Sequence, residues 1–342
     1  KDAIGTGPFR FKEHVRGVSV ELVKNSEYFR PGLPYLDGIM FYVIGDYGAM
    51  NAAFRTKRVH LLRAAIHSIR GPELERLRKE IPEMVVQERV TQGRNFVAPN
   101  LGRKPWDDVR VRRALHLALD RQAAMKVIMQ GEAFVGGAVM PGPWSIPPEE
   151  LAKMPGYRQP KDQDIAEAKK LLAEAGYPNG FKTKIMTRAG DKLYEDTAIL
   201  TRDNMAKIGI EAEVQPVEQA ASYQRLFSHD FDVFAGSGTV SIDDPDAFFG
   251  EMYLSSSPGN YGQYKSSRLD ELFVQQAQAL DPQKRKEIVL EMQRIIENDQ
   301  PVPMLLWRGG TMLFWPEVRN YVASFTNPTF YPTRFENVWL AR

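Results

Sequence analysis

The order of apolar and polar positions divides the chain into a strand-rich beginning and a longer part in which helices prevail. Residues 18–24 alternate as a half-buried strand does, and residues 38–44 form a continuous apolar run that predicts a more buried strand. The proline, glycine and tyrosine residues between them, at 25–37, predict a loop. In chain order we then predict a helix at 48–54, a helix at 72–78, a strand at 85–90 and a short strand at 96–98.

An amphipathic helix is predicted next, with its apolar face at residues 111–119. Asp107 or Asp108 suits its N-cap, because a carboxylate there accepts from free backbone N–H groups. The arginines of this helix, Arg112 among them, are expected mostly on the opposite face. His116 is expected to be solvated.

The middle of the chain then alternates between helices and strands. A helix at 164–175 ends where Gly176 suits a C-terminal cap, and residues 136–160 before it carry six prolines and predict a long loop. A strand at 183–187, a helix at 193–208 and a strand at 212–217 follow in the order of a βαβ unit. Such a unit predicts a parallel strand pair with a right-handed crossover. The last predicted elements are a helix at 222–227, a strand at 231–235, helices at 246–252, 267–279 and 282–298, and a hairpin of 302–307 with 311–314 around Gly309 and Gly310.

The end of the strand at 231–235 is the first candidate for a binding site. Small residues follow it at once, from Gly236 to Ser241, and Asp243 and Asp244 come next. Small residues at a strand end let a ligand approach the backbone closely, and in open α/β sheets ligands lie beyond the carboxyl ends of strands. The alternative is an ordinary strand–turn–helix connection that binds nothing.

Composition narrows the class of protein. At 342 residues two lobes are expected, and 43% apolar with 26% charged residues is typical of a soluble globular protein. A net charge of +2 gives no indication of nucleic-acid binding. The chain has no cysteine and only five scattered histidines, so we expect no metal site. No complete dinucleotide or phosphate-binding loop is present, and we expect no cofactor.

An enzymatic function would have to use Asp243 and Asp244 as an acid–base pair. Adjacent residues usually point apart, and no nucleophile elbow or partner base accompanies them. A helix-capping role for one and a solvated role for the other is the simpler interpretation. We therefore expect that the protein is not an enzyme, with a hydrolase as a distant alternative.

Several sequence pieces in a fixed order resemble one family. They are GTGPF at 5–9, the asparagine, aromatic and PYLD residues of 25–37, KPWDDVRVRRAL at 104–115 with Asn100 before it, AKKLLAEAGY at 168–177, the Gly209-Ile210 strand entry, Asp232 with DPD at 244–246, and Tyr264 with Leu269-Asp270. Together they are similar to the solute-binding proteins of peptide, nickel and opine ABC importers. The likeness spans essentially the whole chain.

The resemblance implies a bilobal α/β periplasmic-binding-protein fold, of which this chain looks like the C-terminal part. It implies a first lobe at 1–99 and 308–342, a second lobe at 100–307, and hinge strands between them. Family members carry a further N-terminal portion with the export signal, which is not present here, and they enclose ligand by hinge closure. We expect a periplasmic monomer whose partners are a small-molecule or peptide solute and the ABC permease subunits of the inner membrane.

The resemblance also suggests ligand contacts at the strand end. Peptide-binding members carry a glycine, a tryptophan and an amine-pairing aspartate where this chain has Ser237, Gly238 and Ser241. With Thr239, these positions favour a more neutral or hydroxyl-rich solute, because small hydroxyls are good partners for such groups. Asp243 is a possible but displaced substitute for the missing charge.

Further contacts are expected near the hinge and at a second strand end. Phe96 and Trp307 match aromatic positions of the family and are expected to stack on ligand. Arg94 and Arg308 flank them and suit a carboxylate or phosphate, with solvent exposure as the alternative. Arg188 and Asp191 follow the strand at 183–187. They are further candidates for ligand contact, because ligands lie beyond strand ends in such sheets.

The sequence thus predicts a periplasmic binding component that captures a small polar solute, whether peptide-like, sugar-like or opine-like. The alternative is an oligopeptide- or metal-chelate-binding member of the same fold.

Overall fold

The computed structural model describes residues 5–63, 71–322 and 335–341. The chain forms two compact units. The first takes the described residues up to Arg89 and from Gly310 onward, and the second is Val90–Gly309. The lobe boundaries drawn from the resemblance, at residues 99 and 307, stay a prediction about the lobes of the whole protein.

The first unit begins with a three-stranded antiparallel sheet in the order β1–β2–β3. Its bounds are β1 Phe9–Val15, β2 Ser19–Lys24 and β3 Gly38–Tyr42. The expectation that β3 is the more buried strand is wrong, because only Ile39 in it is even half-buried. An apolar run predicts a strand, but it does not reveal whether a second layer covers that strand. The unit continues with α1 Tyr47–Arg55, β4 Leu61–Arg63 and α2 Gly71–Glu80.

Two long strands, β5 Val85–Pro99 and β10 Met304–Phe314, run through the boundaries of both units. Each was predicted as two pieces, and the hairpin expected around Gly309 and Gly310 is wrong. Gly309 instead lies in extended backbone and donates its N–H to the carbonyl of Glu132 at 2.9 Å. A Cβ at Gly309 would lie 2.8 Å from that oxygen, so the glycine serves a close backbone approach and not a turn.

The second unit is built on a mixed sheet in which β10, β5, β9, β7 and β8 are successive neighbours. The new strands are β6 Ala133–Phe134, which pairs with β10, β7 Lys182–Arg188, β8 Glu211–Val217 and β9 Val233–Thr239. The parallel strand pair predicted for the βαβ unit is confirmed. Strands β7 and β8 run parallel, and their register extends from the pair Lys182 and Glu211 to the pair Arg188 and Val217. β9 is parallel to β7 and antiparallel to β5.

Helices cover both faces of this sheet. They are α3 Val109–Ala118, α4 Arg121–Met129, α5 Pro148–Leu151, α6 Asp162–Glu174, α7 Lys192–Ala206, α8 Gln219–Phe227, α9 Pro245–Gly250, α10 Ser267–Gln278 and α11 Pro282–Asp299. Val97 of β5 packs into a core cluster with α3, α4, α6 and α7, whereas Phe96 and Ala98 belong to a second cluster with α9, α10 and α11. Short strands β11 Val318–Arg319 and β12 Trp339–Leu340 pair in the first unit.

Local capping signals are confirmed. Asp108 accepts from the backbone N–H of Arg110 at 2.8 Å and caps α3, and Gly176 adopts φ +93° just after α6. The expectation that His116 is solvated is wrong, because its side chain is buried, and Arg112, expected on the polar face, is buried as well. Arg112 donates to the carbonyls of Trp106 and Asp299, each at 2.9 Å, so the end of α11 covers this arginine.

His116 belongs to a buried polar network whose tautomer the geometry determines. Its Nδ1 lies 3.0 Å from Nη2 of Arg121, which can only donate, so Nδ1 accepts. Nε2 therefore carries the proton and donates to the carbonyl of Pro155 at 3.0 Å. Burial, and secondly the Arg121 charge, hold the pKa of His116 well below its usual value of 6.5.

This network predicts an acid-sensitive contribution of His116 to stability. Because the pKa of His116 is lower in the folded state, the unfolded chain binds the proton more readily, and stability rises with pH in that window. We expect the contribution of His116 to the free energy of unfolding to be complete above the unfolded pKa near 6.5. Below that pH the free energy of unfolding should fall by up to about 1.4 kcal/mol per pH unit. The measurement is the unfolding free energy in urea at pH 7.5 and 5.5 for wild type and His116→Gln.

The exposed His60 gives the matched control, since His60→Gln should leave the pH dependence unchanged. If His116→Gln retains the wild-type pH dependence, the assignment is wrong.

Candidate functional site

Strand β9 extends further than its sequence pattern indicated. Ser237, Gly238 and Thr239, expected in a loop after the strand, are its last three residues and pair with Asn95, Arg94 and Gly93 of β5. The pairing partner therefore decides where this strand ends. Exposure rises along these residues, from buried Ser237 to exposed Thr239, and Ser241 beyond them is exposed.

The backbone carbonyls at this strand end already have donors. The hydroxyl of Tyr194 donates to the carbonyl of Ser237, and Nη2 of Arg308 donates to the carbonyl of Gly238 at 2.7 Å. Arg308 lies across Gly93, where a Cβ would come within 2.2 Å of its Nε. The half-buried Arg308 is therefore joined to the strand end.

The two aspartates of the loop have different environments. Asp244 caps α9 by accepting from the backbone N–H of Asp246 at 2.9 Å, and it pairs with Arg285 through two bonds of 2.7 and 3.0 Å. The capping role considered for one aspartate is therefore found at Asp244. Asp243 is half-buried, and burial followed by the Asp244 charge raises its pKa.

The two aromatic residues proposed to stack on ligand lie in the core. Trp307 is 0% exposed, donates its indole N–H to the carbonyl of Gly137 at 3.0 Å and meets Phe248 edge-on. Phe96 is 5% exposed and packs edge-on against Phe234. Neither ring presents a face to solvent, so the structure gives both a packing role in place of the expected stacking role.

Arg94 is buried at 3% exposure and has a partner that the sequence did not indicate. Its Nη2 donates to a carboxylate oxygen of Glu251 at 3.2 Å, and the other oxygen of Glu251 accepts from the backbone N–H of Ser241 at 2.8 Å. Glu251 directly follows α9 and brings a negative charge beside Ser241. No local signal marks this residue, because the contact depends on how α9 packs against β5.

Arg188 lies at the end of β7 and is half-buried. Its guanidinium carbon is 4.3 Å from the ring centre of Tyr194 and 5.2 Å from that of Tyr223. Since Tyr194 also bonds to Ser237, the structure connects Arg188 to the end of β9 through one side chain. Asp191 accepts from the backbone N–H of Leu193 at 3.0 Å and caps α7.

Most of the sequence-predicted residues thus meet around the end of β9. Arg94, Arg308 and the segment from Ser237 to Ser241 are in direct contact or connected through Glu251, and Arg188 adjoins them through Tyr194. Two cavities of about 380 and 430 Å³ lie elsewhere in the second unit and are lined by other residues. Glu251, Tyr194 and Tyr223 were not among the site residues predicted from the sequence.

The hydroxyl groups of Thr239 and Ser241 and the positively charged side chains of Arg188 and Arg308 suit this region to binding a polar ligand. Among the described residues, no group of three histidine, aspartate or glutamate side chains could hold a metal ion. The same residues contain no helix that is long and apolar enough to cross a bilayer.

Comparison with known sequences gives one family. The profile described as bacterial extracellular solute-binding proteins, family 5 Middle, matches residues 1–260. The chain is 28% identical to the oligopeptide-binding protein AppA of Bacillus subtilis, over all of this chain and 63% of that protein. The chain therefore spans about 60% of the length of such relatives. It covers 63% of AppA and 59% of the heme-binding protein A of Haemophilus influenzae.

Solved structures give the same result for the fold. HbpA2 from Haemophilus parasuis superposes with a TM-score of 0.82 at 24% identity, over 99% of this chain and 64% of that one. The periplasmic binding protein DppA from Helicobacter pylori, in complex with the peptide STSA, has a TM-score of 0.68 at 27% identity, over 99% and 63% of the two chains. The expected α/β periplasmic-binding-protein fold is confirmed.

Proposed function

Since the chain belongs to the bacterial extracellular solute-binding proteins of family 5, we propose that it captures a small polar solute for an ABC importer. The observation that carries this proposal is the family match over residues 1–260, which includes β9 and the loop that follows it. The family is one of solute-binding proteins and not of enzymes, in agreement with the expectation from sequence.

The proposed partners and location follow from the same membership. We propose a periplasmic monomer that delivers its solute to permease subunits in the inner membrane. Two similar proteins, an oligopeptide-binding protein and DppA in complex with a peptide, support a peptide-like solute. Sugar-like and opine-like solutes, or a metal chelate, remain alternatives that a binding panel distinguishes.

The proposed contacts lie at the end of β9. Exposed Thr239 and Ser241 offer hydroxyl groups, and half-buried Arg188 and Arg308 offer positive charge for a carboxylate or phosphate. Half-buried Asp243 is the remaining acidic candidate. Arg94 reaches the same place from β5, whereas Asp244 is occupied by Arg285 and by the N-terminus of α9.

Filling the space at Ser241 should prevent binding without unfolding the protein. We expect Ser241→Leu to abolish the thermal stabilisation that a cognate solute gives, about 2.7 kcal/mol at a solute concentration of 100 Kd. Because Ser241 is exposed, the melting temperature without solute should change little. The measurement is thermal unfolding against a panel of dipeptides, tripeptides, sugars and opines.

Ser256→Leu, at another exposed loop serine of the same unit, is the matched control. Unchanged solute affinity in Ser241→Leu would exclude this loop from the site. A wild-type protein that binds no member of the panel would count against the proposed solute classes.

A further inference from the structure

Arg94, Gln92 and Tyr253 are three of the buried side chains of the second unit that have polar atoms without hydrogen-bond partners among the described residues. The atoms are Nε and Nη1 of Arg94, both amide atoms of Gln92 and the hydroxyl of Tyr253. Gln92 and Tyr253 are fully buried, and Arg94 nearly so. Native proteins leave few buried polar groups unpaired, because each costs about 1–3 kcal/mol. Three in one region indicate that a bound group satisfies them.

Two of these side chains share one face of β5, and the third lies near Arg94. Gln92 and Arg94 are two residues apart on β5, so they point to the same face of the sheet. Tyr253 lies close enough to Arg94 for the two to interact electrostatically, and the guanidinium carbon of Arg94 is 5.9 Å from the ring centre of Trp307. The region is rich in donors: the guanidinium, an amide NH₂ and a phenol hydroxyl. Such a set suits a group with several acceptor oxygens.

Within the described residues, Arg94 contacts one carboxylate, that of Glu251, through a single hydrogen bond. Glu251 engages Nη2 of Arg94 alone, at 3.2 Å, and leaves Nε and Nη1 unpaired. The Glu251 side chain is 31% exposed, whereas that of Arg94 is 4% exposed, so Glu251 is the member of the pair that reaches solvent. A carboxylate that bound Arg94 through two parallel bonds would satisfy more of its N–H groups than Glu251 does.

We propose that Arg94, Gln92 and Tyr253 bind a carboxylate group of the solute, and that Glu251 is an internal competitor that occupies Arg94 when solute is absent. The inference rests on the proposed solute-binding function and adds a chemical class, a carboxylate-bearing solute. Release of Arg94 leaves Glu251 free beside the backbone N–H of Ser241, at the strand end where the solute is proposed to bind.

The test uses acetate, the simplest carboxylate, so that it does not depend on knowing the solute. Thermal unfolding is followed in sodium acetate and in sodium chloride of equal ionic strength. Glu251→Gln should raise the affinity for acetate at least about tenfold, because it removes a competing charge in close contact with Arg94. Arg94→Lys should abolish the acetate effect, because lysine lacks the planar donor fork.

Glu291→Gln is the matched control, since Glu291 is an exposed glutamate paired with Arg268 at 2.7 Å in the same unit. It should respond to acetate as wild type does. If Arg94→Lys fails to fold, Tyr253→Phe replaces it, with an expected severalfold weakening of acetate binding. Acetate affinity in Glu251→Gln that equals or falls below the wild-type value would overturn the proposal and would favour water as the occupant.

A second comparison separates this inference from the proposed function. The peptide panel is repeated with each carboxylate converted to an amide. Binding of peptides and amides with equal affinity would overturn the carboxylate site and leave solute binding intact. An acetate response of the predicted pattern, without binding of any solute in the panel, would support the site and contradict the proposed solute classes.

Discussion

Arg121→Met is expected to lower the free energy of unfolding by about 3–5 kcal/mol, because several buried acceptors lose their donor and each unpaired acceptor costs about 1–3 kcal/mol. Arg121 is 2% exposed and donates to the carbonyls of Met304 at 3.0 Å and Gly156 at 2.7 Å, as well as to Nδ1 of His116. Its guanidinium carbon also lies 4.2 Å from the ring centre of Tyr157. Methionine fills much of the volume but leaves these acceptors unpaired in a region that water does not reach.

The measurement is urea-induced unfolding at pH 7.5, followed by circular dichroism. Arg113→Met is the matched control, because Arg113 is exposed and makes one bond, from Nε to the carbonyl of Asn298. Its loss should cost no more than about 1 kcal/mol. Equal destabilisation by the two variants would show that the buried network does not contribute as we infer.

Gly180→Ala is expected to destabilise the protein by at least about 3 kcal/mol, through two separate costs. Gly180 adopts φ +76°, a conformation that costs an alanine about 1–2 kcal/mol. A Cβ at this position would also lie 1.8 Å from the carbonyl oxygen of Gly209, so the backbone at the entry to β7 or β8 must move. Because the atoms nearest to this Cβ all belong to the backbone of Gly209, no side chain can rotate to relieve the contact.

Gly176→Ala separates the two costs. Gly176 has a similar φ of +93°, but an added Cβ there meets nothing within 4 Å. We expect its unfolding free energy to fall by only about 1–2 kcal/mol, the cost of the left-handed conformation alone. The difference between the variants, measured under the same conditions, reports the steric contact. If both lose the same stability, the backbone relaxes at Gly180 at no cost.

Elements with strong local signals were predictable. The βαβ unit follows from hydrophobic periodicity, and the start of α3 follows from Asp108, whose carboxylate accepts from the backbone N–H of Arg110. Such contacts depend on neighbouring positions, so a sequence window contains all the partners. The family likeness has the same origin, because it rests on ordered short pieces.

The candidate site was only partly predictable. Ser237 to Ser241 and Arg188 were expected at strand ends and Arg308 near the hinge, and the structure brings them to one region. Glu251 was not expected, because its contact with Arg94 joins residues 157 positions apart. Trp307 was expected to stack on ligand, but α9 brings Phe248 against its edge and the residue belongs to the core.

The sequence by itself determined most of the helices and strands, their caps and the membership of a solute-binding family, because these depend on periodicity and on ordered motifs. Only the tertiary structure decided which polar residues are buried, where β9 and β10 end, and which carboxylate meets Arg94. The physical reason is that burial and strand length depend on what packs alongside. Neighbouring layers come from distant parts of the chain, and their positions follow from the whole core and not from any local pattern.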